Sequence, residues 1–545
     1  MPMLKQDYYM KKLCKILSLL TLCLAFTSKV KAQEDIFYKF DVKKNHIKVN
    51  CIIQGSVSGL THLKIPVFFD LDRSQLEKLQ IYIDGLKYKY TIGNNLITLK
   101  HKPLALLQIS YQLHNIKGYD SNLYFYITPK FFFFPLQYCL FKTVSSLYKP
   151  YNIRFHFNTY NGKLFSNTLP SINNPFEGSF TTTQELEGLF FIGGEVSRYE
   201  VNNSRSIVFF SNEIKLNKQQ IVEYISQIEA IHNNFFEKTN KNSHFIFLLN
   251  PKYKYDIEGS NVSNLETIAL GTEVKFNYEL KRVIAHENLH KWFNSKIFGQ
   301  YLDEQGYNCW FIEGFTDYYT NYLNSKHNII TLNDYLNSYN KILANYYTSP
   351  FRYMTNSNIS EAIHDDDIFA IAYWRGMIIA HELNFLIQNS TKYNNKLSLD
   401  EYIKYLIRLS GSSYTHFDLN ILAKTLFDFT GHDFSNYIDN IKRTNILVNA
   451  QYILDNKAFL LLKETEEIIY DFDIAQSQLK WIVQGVNSDS KSFQNGLRNK
   501  QKILNITTNS SGHLFFKVKD QNGTKTVKIP QKIKKVLTPQ YKLIN

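Results

Sequence analysis

The chain has 545 residues, of which 44% are hydrophobic and 15% are aromatic, and its formal net charge is +14. This length exceeds what one hydrophobic core can support, so we predict several domains. The lysines are scattered, and no basic run is interleaved with aromatic residues, which argues against a nucleic-acid partner.

The N-terminus has the pattern of an export signal. Residues 11–12 are lysines, residues 16–26 form a short apolar run, and residues 30–32 form a cleavage site with small residues. We predict a signal peptide over residues 1–32, with Met10 as an alternative start, and a periplasmic or extracellular mature protein. The apolar run is too short to cross a bilayer and no longer one follows, so we predict no membrane span in the mature chain.

The cysteines give two further expectations. Cys23 would suit a lipoprotein anchor, but Leu22 is larger than the residue such a site prefers, so ordinary secretion is favoured over anchoring. Cys51, Cys139 and Cys309 remain after the signal peptide, far apart and outside any C-x-x-C pair. We therefore predict buried thiols and no disulfide framework.

Residues 33–180 are predicted to form an all-β domain. Apolar and polar residues alternate over 47–53, as in a strand with one buried face. The apolar runs 79–83 and 86–90 flank an Asp-Gly pair at 84–85, which supplies the positive φ angles of a tight hairpin turn.

The residue pattern changes near Leu216, and we assign residues 181–460 to a second domain. Apolar residues at helical spacing predict a helix over 221–231, and 245–249 is a continuous apolar strand. Glu266 follows on another apolar segment. Its carboxylate could pair with an ammonium group or could be solvated at a strand edge, and the sequence leaves both open.

The most specific motif is His286-Glu287-Asn288-Leu289-His290, in a segment whose apolar spacing predicts a helix. Two histidines four residues apart lie on one helix face and can bind one cation, for which zinc with an open coordination position is best suited. Glu287 would stand beside the metal and take a proton from bound water, whose pKa zinc lowers to about 7. The alternative is a core helix with two hydrogen-bonded histidines.

A second motif, W-F-I-E-G-F-T-D-Y-Y over residues 310–319, offers a third ligand. Carried on a following helix, Glu313 would complete a His, His, Glu set for one zinc ion per chain. Asp317 lies one helical turn further on and could accept a hydrogen bond from the remaining N–H of a ligand histidine.

Together the two motifs resemble the glycyl aminopeptidase family of thermolysin-like (gluzincin) zinc metallopeptidases. The resemblance implies that His286, His290 and Glu313 bind zinc and that Glu287 is the general base. It also implies a multidomain α+β fold. An all-β N-terminal domain would precede a thermolysin-like catalytic domain with a mostly helical second half, and a PDZ-like β domain would follow.

Two further residues receive a role from this resemblance. In the family, the glutamate of a G-G-L-E-H motif on an edge strand binds the α-amine of the substrate. Here only Leu265-Glu266 match, while residues 263–264 and Thr267 differ, so Glu266 is the candidate. A family tyrosine in a Y-x-x-G-like element hydrogen-bonds the oxyanion, and Tyr373 in A-Y-W-R-G is the candidate, the alternative being an ordinary packed ring.

The chain after this motif is predicted to be mostly helical. Thr331 has the features of an N-cap and Gly431 those of a helix end. His381-Glu382 repeats the first two residues of the zinc motif, but Phe385 stands where the second histidine would be. We therefore predict that this pair lies on the surface of a helix.

The C-terminal region changes character again. Residues 480–506 resemble the V-x-x-G-S, A-G-L and G-D-x-I-L-x-I pattern of a PDZ domain, although Lys500-Gln501 stand where the pattern has Gly-Asp. The resemblance implies a PDZ-like domain over residues 461–545. A domain that packs on the catalytic domain is favoured over an active binder of peptide C-termini.

These features lead to two functional hypotheses. The first is an exported zinc-dependent peptidase that hydrolyses a peptide or protein substrate with a metal-activated water, an aminopeptidase being favoured over an endopeptidase. The second is a secreted binding or scaffold protein, a catalytically altered peptidase homologue. The complete His, His, Glu set with Glu287 favours the first, because a binding protein has no need of a general base.

Overall fold

The structure is a computed structural model. It describes residues 34–71, 76, 78–115, 123, 125–144, 151–158, 164–166, 176–180, 186, 188–202, 204–237, 243–262, 264–293, 308–362, 365–390, 397–409, 418–444, 446, 448–509, 513–521 and 523–544. The predicted signal peptide, with Met10 and Cys23, lies outside the described residues. Within them the chain forms two compact units. Unit 1 comprises the described residues up to 199 with 207–215 and 244–273, and unit 2 comprises those of 200–206, 216–243 and 274–545.

Unit 1 consists of β-sheets and two short helices. Its described strands are β1 (Glu34–Val42), β2 (His46–Gln54), β3 (Leu60–Lys64), β4 (Gln80–Ile83), β5 (Leu86–Tyr88), β6 (Thr91–Gly93), β7 (Leu96–Lys100), β8 (Leu106–His114), β9 (Tyr126–Ile127), β10 (Phe131–Pro135), β11 (Lys142–Thr143), β12 (Tyr151–Asn158), β13 (Leu164–Ser166), β14 (Phe176–Phe180), β15 (Phe190–Gly194), β16 (Val196–Glu200), β17 (Ile207–Ser211), β18 (His244–Leu249), β19 (Ile257–Val262) and β20 (Leu265–Leu270). The helices are α1 (Val67–Leu71) and α2 (Leu136–Cys139). The strand orders are β14-β12-β1-β2-β8-β4-β5, β13-β15-β10-β9, β11-β3-β7-β6 and β16-β17-β18-β20-β19.

The β-strand patterns predicted for unit 1 are confirmed. Every second residue of β2, from Ile47 to Ile53, is buried, because alternate side chains of a strand point to the same face. The hairpin between β4 and β5 turns at Asp84, with φ 48°, and Gly85, with φ 80°. Cys51 and Cys139 are buried as predicted, whereas Cys309, in unit 2, is only half-buried.

Two features of unit 1 depart from the expectations. The strands β18 and β20 group with unit 1, although residues 181–460 were predicted to form one domain. The resemblance implied an edge strand around Glu266, but β20 lies between β18 and β19 and is therefore an interior strand. The edge is occupied by β19, which pairs antiparallel with β20 along its whole length.

Unit 2 is mostly helical and ends in a β region. Its described helices are α3 (Lys218–Phe235), α4 (Tyr278–Trp292), α5 (Cys309–Lys326), α6 (Leu332–Thr348), α7 (Asn356–Glu361), α8 (Asp366–Gln388), α9 (Leu399–Leu409), α10 (Leu419–Thr430), α11 (Ser435–Lys442), α12 (Ile474–Lys480) and α13 (Lys491–Gln494). Its strands are β21 (Tyr452–Ile453), β22 (Ala458–Ile469), β23 (Lys502–Thr508), β24 (Leu514–Asp520), β25 (Gly523–Lys528) and β26 (Lys532–Leu543). None of these helices, nor those of unit 1, combines the length and apolar character that crossing a membrane requires.

Local sequence signals account for several helix ends in unit 2. The side chain of Thr331 accepts a hydrogen bond from the backbone N–H of Asp334, whose carboxylate in turn accepts from the Thr331 N–H, so the predicted N-cap of α6 is confirmed as a capping box. Gly431 ends α10 in the left-handed conformation with φ 67°. The side chain of Asn277 caps α4 by accepting from the N–H of Leu280.

The helices α5 and α8 pack with their backbones in direct contact. The contact point is formed by Gly314 of α5 and Gly376 of α8. A Cβ on Gly376 would overlap the carbonyl oxygen of Trp310, so only glycine fits there. This close approach fixes the position of Tyr373, one turn before Gly376, relative to the first turns of α5.

The pair His381-Glu382 is not on a helix surface, so that prediction is wrong. His381 is buried among aromatic rings, stacked on Tyr339 with ring centroids 4.0 Å apart and bonded through Nε2 to the Tyr335 hydroxyl at 2.8 Å. Glu382 accepts hydrogen bonds from the backbone N–H groups of Asn449, at 2.9 Å, and Ala450, at 3.0 Å. Spacing within α8 could not reveal these partners, because they come from other segments.

The C-terminal β region contains two sheets. The strands β21, β22 and β26 form one, in which β22 and β26 pair from Ala458↔Leu543 to Ile469↔Lys532 as a long antiparallel ribbon. The strands β23, β24 and β25 form the other. The second sheet shares a small apolar core with the neighbouring helices, formed by Phe472, Ile474, Val483, Val486, Leu497, Ile503, Leu514, Phe516, Val518, Val527 and Ile529.

Candidate metal centre

Three possible metal ligands converge in unit 2. The helix α4 carries His286 and His290 on one face, and α5 packs beside it with Glu313 in its second turn. Glu313 Oε2 lies 3.2 Å from His286 Nε2 and 3.4 Å from His290 Nε2. One donor atom from each residue lies within 4.8 Å of the other two.

This donor set fits a tetrahedral cation. Ligands about 2.0–2.1 Å from a tetrahedral metal are about 3.3 Å from each other, which matches the two measured separations between nitrogen and oxygen. The rings of His286 and His290 are nearly perpendicular, at 88°, and both direct Nε2 at the same carboxylate oxygen. Two imidazoles and one carboxylate leave a fourth position open for water or substrate.

The orientation of His286 is set by Asp317, as its spacing suggested. Asp317 Oδ1 accepts from His286 Nδ1 at 2.9 Å, which leaves Nε2 directed at Glu313. The same oxygen accepts from Arg282 Nη1 at 3.0 Å, while Arg282 Nε donates to Glu279 at 3.3 Å. Arg282 was missed in the sequence, although it lies one helical turn before His286 and therefore on the same face of α4.

His290 has a polar neighbour of its own. The Thr316 hydroxyl donates to the carbonyl of Ile312 at 2.6 Å, so its oxygen can accept from His290 Nδ1, 3.5 Å away. This contact is long, yet it favours the same tautomer as in His286, with Nε2 turned toward Glu313. Thr316 is the threonine of the E-G-F-T-D-Y-Y motif, a position that the sequence analysis left without a role.

The charged groups of the site compensate one another. Burial opposes the charged form of His286, but Asp317 and then Glu313 and Glu287 outweigh it and raise its pKa above the usual range. Burial likewise opposes the charge of Glu313, but the two imidazoles lower the pKa of this carboxyl. The carboxylates around the two imidazoles thus favour a positive charge among the three donors, as the binding of a cation requires.

Glu287 and Tyr373 complete the surroundings of the three donors. Glu287 is buried beside the two histidines, and burial raises its pKa, as suits a carboxylate that has to accept a proton. The Tyr373 ring is stacked on that of His286, with ring centroids 5.9 Å apart, and its hydroxyl is close enough to Glu313 for that carboxylate to raise its pKa. Burial, together with Glu313 and Glu287, raises the pKa of Tyr373, so its hydroxyl stays protonated and can donate.

Glu266 is in unit 1, on β20, and its side chain is buried. The alternative of a solvated carboxylate at a strand edge is therefore wrong, because β19 covers that edge and the side chain is inside. The structure thus brings His286, Glu287, His290, Glu313, Asp317 and Tyr373 together within unit 2.

The chain is similar to known proteins in sequence and in structure. Residues 279–382 match the sequence profile of the M61 glycyl aminopeptidases. The structure is similar to that of an aminopeptidase N family protein from Idiomarina loihiensis, with a TM-score of 0.65 and 14% identity, covering 92% of this chain and 97% of that chain. An M1 zinc metallopeptidase from Deinococcus radiodurans gives a TM-score of 0.48 and 11% identity, covering 77% of this chain and 96% of that chain. No curated protein matches the sequence.

The family match and the site together indicate a metallopeptidase of the aminopeptidase type. The fold is a β-rich N-terminal region followed by a helical one. The matched segment runs from α4 through α5 to Glu382 and contains all six residues gathered at the site. Residues 279–382 thus match the M61 glycyl aminopeptidase family, which confirms the family resemblance of the two motifs. The match ends before residues 461–545, so the PDZ-like domain stays a prediction.

Proposed function

We propose that this protein is an exported zinc-dependent aminopeptidase. The observation that carries the proposal is the convergence of His286 and His290 on Glu313, at 3.2 and 3.4 Å, with Glu287 beside them. Export is supported by the sequence of residues 1–32 and zinc by the donor set. The aminopeptidase activity is supported by the family of residues 279–382.

His286, His290 and Glu313 would hold the zinc ion, which when bound polarises the substrate carbonyl and lowers the pKa of water. Glu287 takes the proton of the attacking water and passes it to the leaving amine, since a buried carboxylate with a raised pKa can both accept and donate. Asp317 holds His286 in the tautomer that directs Nε2 inward.

Tyr373 is assigned to the oxyanion that forms on the substrate. Its hydroxyl stays protonated and can donate a hydrogen bond to a developing negative charge. The glycine contact between α5 and α8 holds the tyrosine rigidly, so no reorganisation is needed when the charge develops.

We assign the recognition of the substrate α-amine to Glu266. A buried carboxylate is a strong partner for an ammonium group, and the family places a glutamate in this role. If Glu266 lacks this role, the enzyme would also cleave peptides without a free N-terminus.

We also propose that residues 461–545 form the PDZ-like domain. The three strands β23–β25 and two short helices around one apolar core support this reading. The ribbon of β22 and β26 is attached to α6 near Tyr541. The Asn340 side chain donates to the Tyr541 carbonyl at 2.8 Å and accepts from the Tyr541 N–H at 2.7 Å. That attachment supports a domain that packs on the catalytic helices.

The test is a digest of a mixed peptide library, half of it with acetylated N-termini, analysed by mass spectrometry with and without a chelator. We expect removal of single N-terminal residues from the free peptides only, loss of activity with chelator, and recovery with added zinc. Metal analysis of the purified protein should give one zinc per chain. Protein without stoichiometric metal or activity would favour the scaffold hypothesis, and cleavage of acetylated peptides would contradict an aminopeptidase.

A further inference from the structure

The ribbon of β22 and β26 carries an apolar surface that plays no part in the proposed chemistry. Directly opposed residues of an antiparallel pair point to the same face. The face that carries the pair Ala458↔Leu543 at one end therefore carries the pair Ile468↔Ile533 at the other. We call this side of the ribbon the ribbon face. It consists of the even-numbered residues of β22 and the odd-numbered residues of β26.

One end of the ribbon face is covered by unit 2 itself. The Tyr541 ring stacks on Tyr339 of α6, with ring centroids 5.8 Å apart, and Pro539 is buried. Beyond these residues the face is open, and its large apolar side chains are exposed: Leu462 to 62%, Leu537 to 65%, Ile533 to 67% and Ile468 to 42%. Single exposed aliphatic residues are ordinary on protein surfaces, but four on one face of one ribbon indicate an interaction surface.

The charges on the ribbon face are divided between its two strands. Glu464 and Glu466 stand on β22, and Lys535 stands on β26 in register with Glu466. Lys535 Nζ lies 2.7 Å from Glu464 Oε1. An anionic lipid surface would favour a purely basic rim around the apolar residues, so the acidic strand argues against a membrane partner. A partner must instead present an acidic strand and a basic strand in the opposite order.

We propose that the partner is the ribbon face of a second copy of this chain. A two-fold axis parallel to the strands places β22 of one copy over β26 of the other. Ile468 then lies over Ile533 of the second copy, and Glu466 lies over its Lys535, by the register of the ribbon itself. A two-fold axis perpendicular to the strands would instead stack β22 on β22 and set the glutamates against each other, which is unfavourable.

Sheet geometry is compatible with this arrangement. Sheets pack face to face about 10 Å apart and at about 30° because of their twist, so the best match lies at the centre of the contact. In the exposed part of the ribbon face, Glu464, Glu466 and Lys535 are central and the aliphatic residues flank them. The interface is the same patch on both copies, which is the requirement for a closed dimer.

The proposal is tested by sedimentation velocity of the full-length mature protein over a series from submicromolar to high micromolar concentration. We expect a reversible dimer for the wild type. Ile533→Lys should raise the dissociation constant of the dimer by about tenfold or more, as expected for the loss of one buried aliphatic side chain. The matched control is Leu86→Lys on β5 of unit 1, which likewise replaces an exposed aliphatic side chain and should leave the dimer unchanged.

The charge pattern gives a second test that does not depend on apolar contacts. Glu466→Lys alone should weaken the dimer, because it sets two lysines against each other, and the double variant Glu466→Lys with Lys535→Glu should restore it. Thermal melts of each variant show whether the fold is retained. A wild type that is monomeric at every concentration, or a dimer that Ile533→Lys leaves intact, would overturn the proposal.

Discussion

Unit 2 contains two His-Glu pairs, His286-Glu287 on α4 and His381-Glu382 on α8, and both are buried. The first faces carboxylates, and Asp317 with Glu313 keeps its histidine chargeable. The second lies among tyrosine rings, where burial lowers the histidine pKa to about 3, and its glutamate accepts two backbone N–H groups. The His-Glu dipeptide alone therefore does not determine its role. The segment that packs against it decides whether it forms part of a metal site or a structural contact.

The largest effect is expected from replacing Glu287 and Glu382, one in each pair, because one variant should lose activity and the other stability. Glu287→Gln should lower kcat by about 10²–10⁴-fold, because the proton acceptor is lost while the metal donors remain. Glu382→Gln should leave kcat nearly unchanged and lower Tm instead, because one buried acceptor for the backbone is weakened. Peptide hydrolysis, zinc content and thermal melts of both variants measure this. Full activity in Glu287→Gln would remove the proposed mechanism.

The next effect concerns the glycine contact between α5, which carries Glu313 of the metal site, and α8, which carries the second pair. Gly376→Ala should destabilise the protein by about 1–3 kcal/mol or more, because the added Cβ overlaps the Trp310 carbonyl. Chemical denaturation measures this. Gly93→Ala is the matched control, since a Cβ there meets nothing within 4 Å. Equal stability of the two variants would contradict the close packing of α5 on α8.

Arg282 forms an ion pair with Asp317, the carboxylate that holds the histidine of the first pair. Among the described residues the second pair has no equivalent of Arg282. Arg282→Gln should lower zinc affinity by about 10–100-fold, because Asp317 loses the partner that holds it against His286. Competition with a chromophoric chelator measures the affinity independently of activity. Arg282→Lys should recover part of the loss, and Glu279→Gln, which removes only the outer partner of Arg282, should change little. An unchanged affinity in Arg282→Gln would show that Asp317 needs no partner.

The smallest effect is the acid sensitivity of the second pair. The unfolded chain protonates His381 near the ordinary pKa of 6.5, whereas the folded chain resists until about pH 3. Between about pH 6.5 and pH 3 the unfolded state therefore binds more protons than the folded state. The contribution of His381 to stability is full above this range and is lost as the pH decreases through it. From pH 6.5 to about pH 5.5 this histidine should cost about 1 kcal/mol. Denaturant unfolding of the wild type and of His381→Phe at both pH values tests this. An equal loss of unfolding free energy between the two pH values in both proteins would contradict it.

Much of the site could be predicted because its signals are local. The spacing of His286 and His290 places them on one helix face whatever surrounds the helix, and Asp317 follows Glu313 by one turn. The capping box at Thr331 and the hairpin turn at Gly85 are likewise properties of a few adjacent residues.

The remaining features depend on partners that are distant in the sequence. His381 and Glu382 were predicted to lie on a surface, because periodicity within α8 gives no information on the tyrosines of α6 or on the backbone at Ala450. Glu266 was placed at a strand edge because the pairing of β19 with β20 cannot be derived from the alternation of either strand.

The amino-acid sequence by itself determined the helices, their caps and the set of metal donors, since hydrogen bonds and side-chain spacing within one turn require no other segment. Only the tertiary structure decided that Arg282 holds Asp317, that two glycines let α5 and α8 touch, and that one His-Glu pair faces carboxylates while the other faces tyrosines. The physical reason is that burial and charge act through whatever the fold brings within a few ångströms, and that neighbour can lie anywhere in the chain.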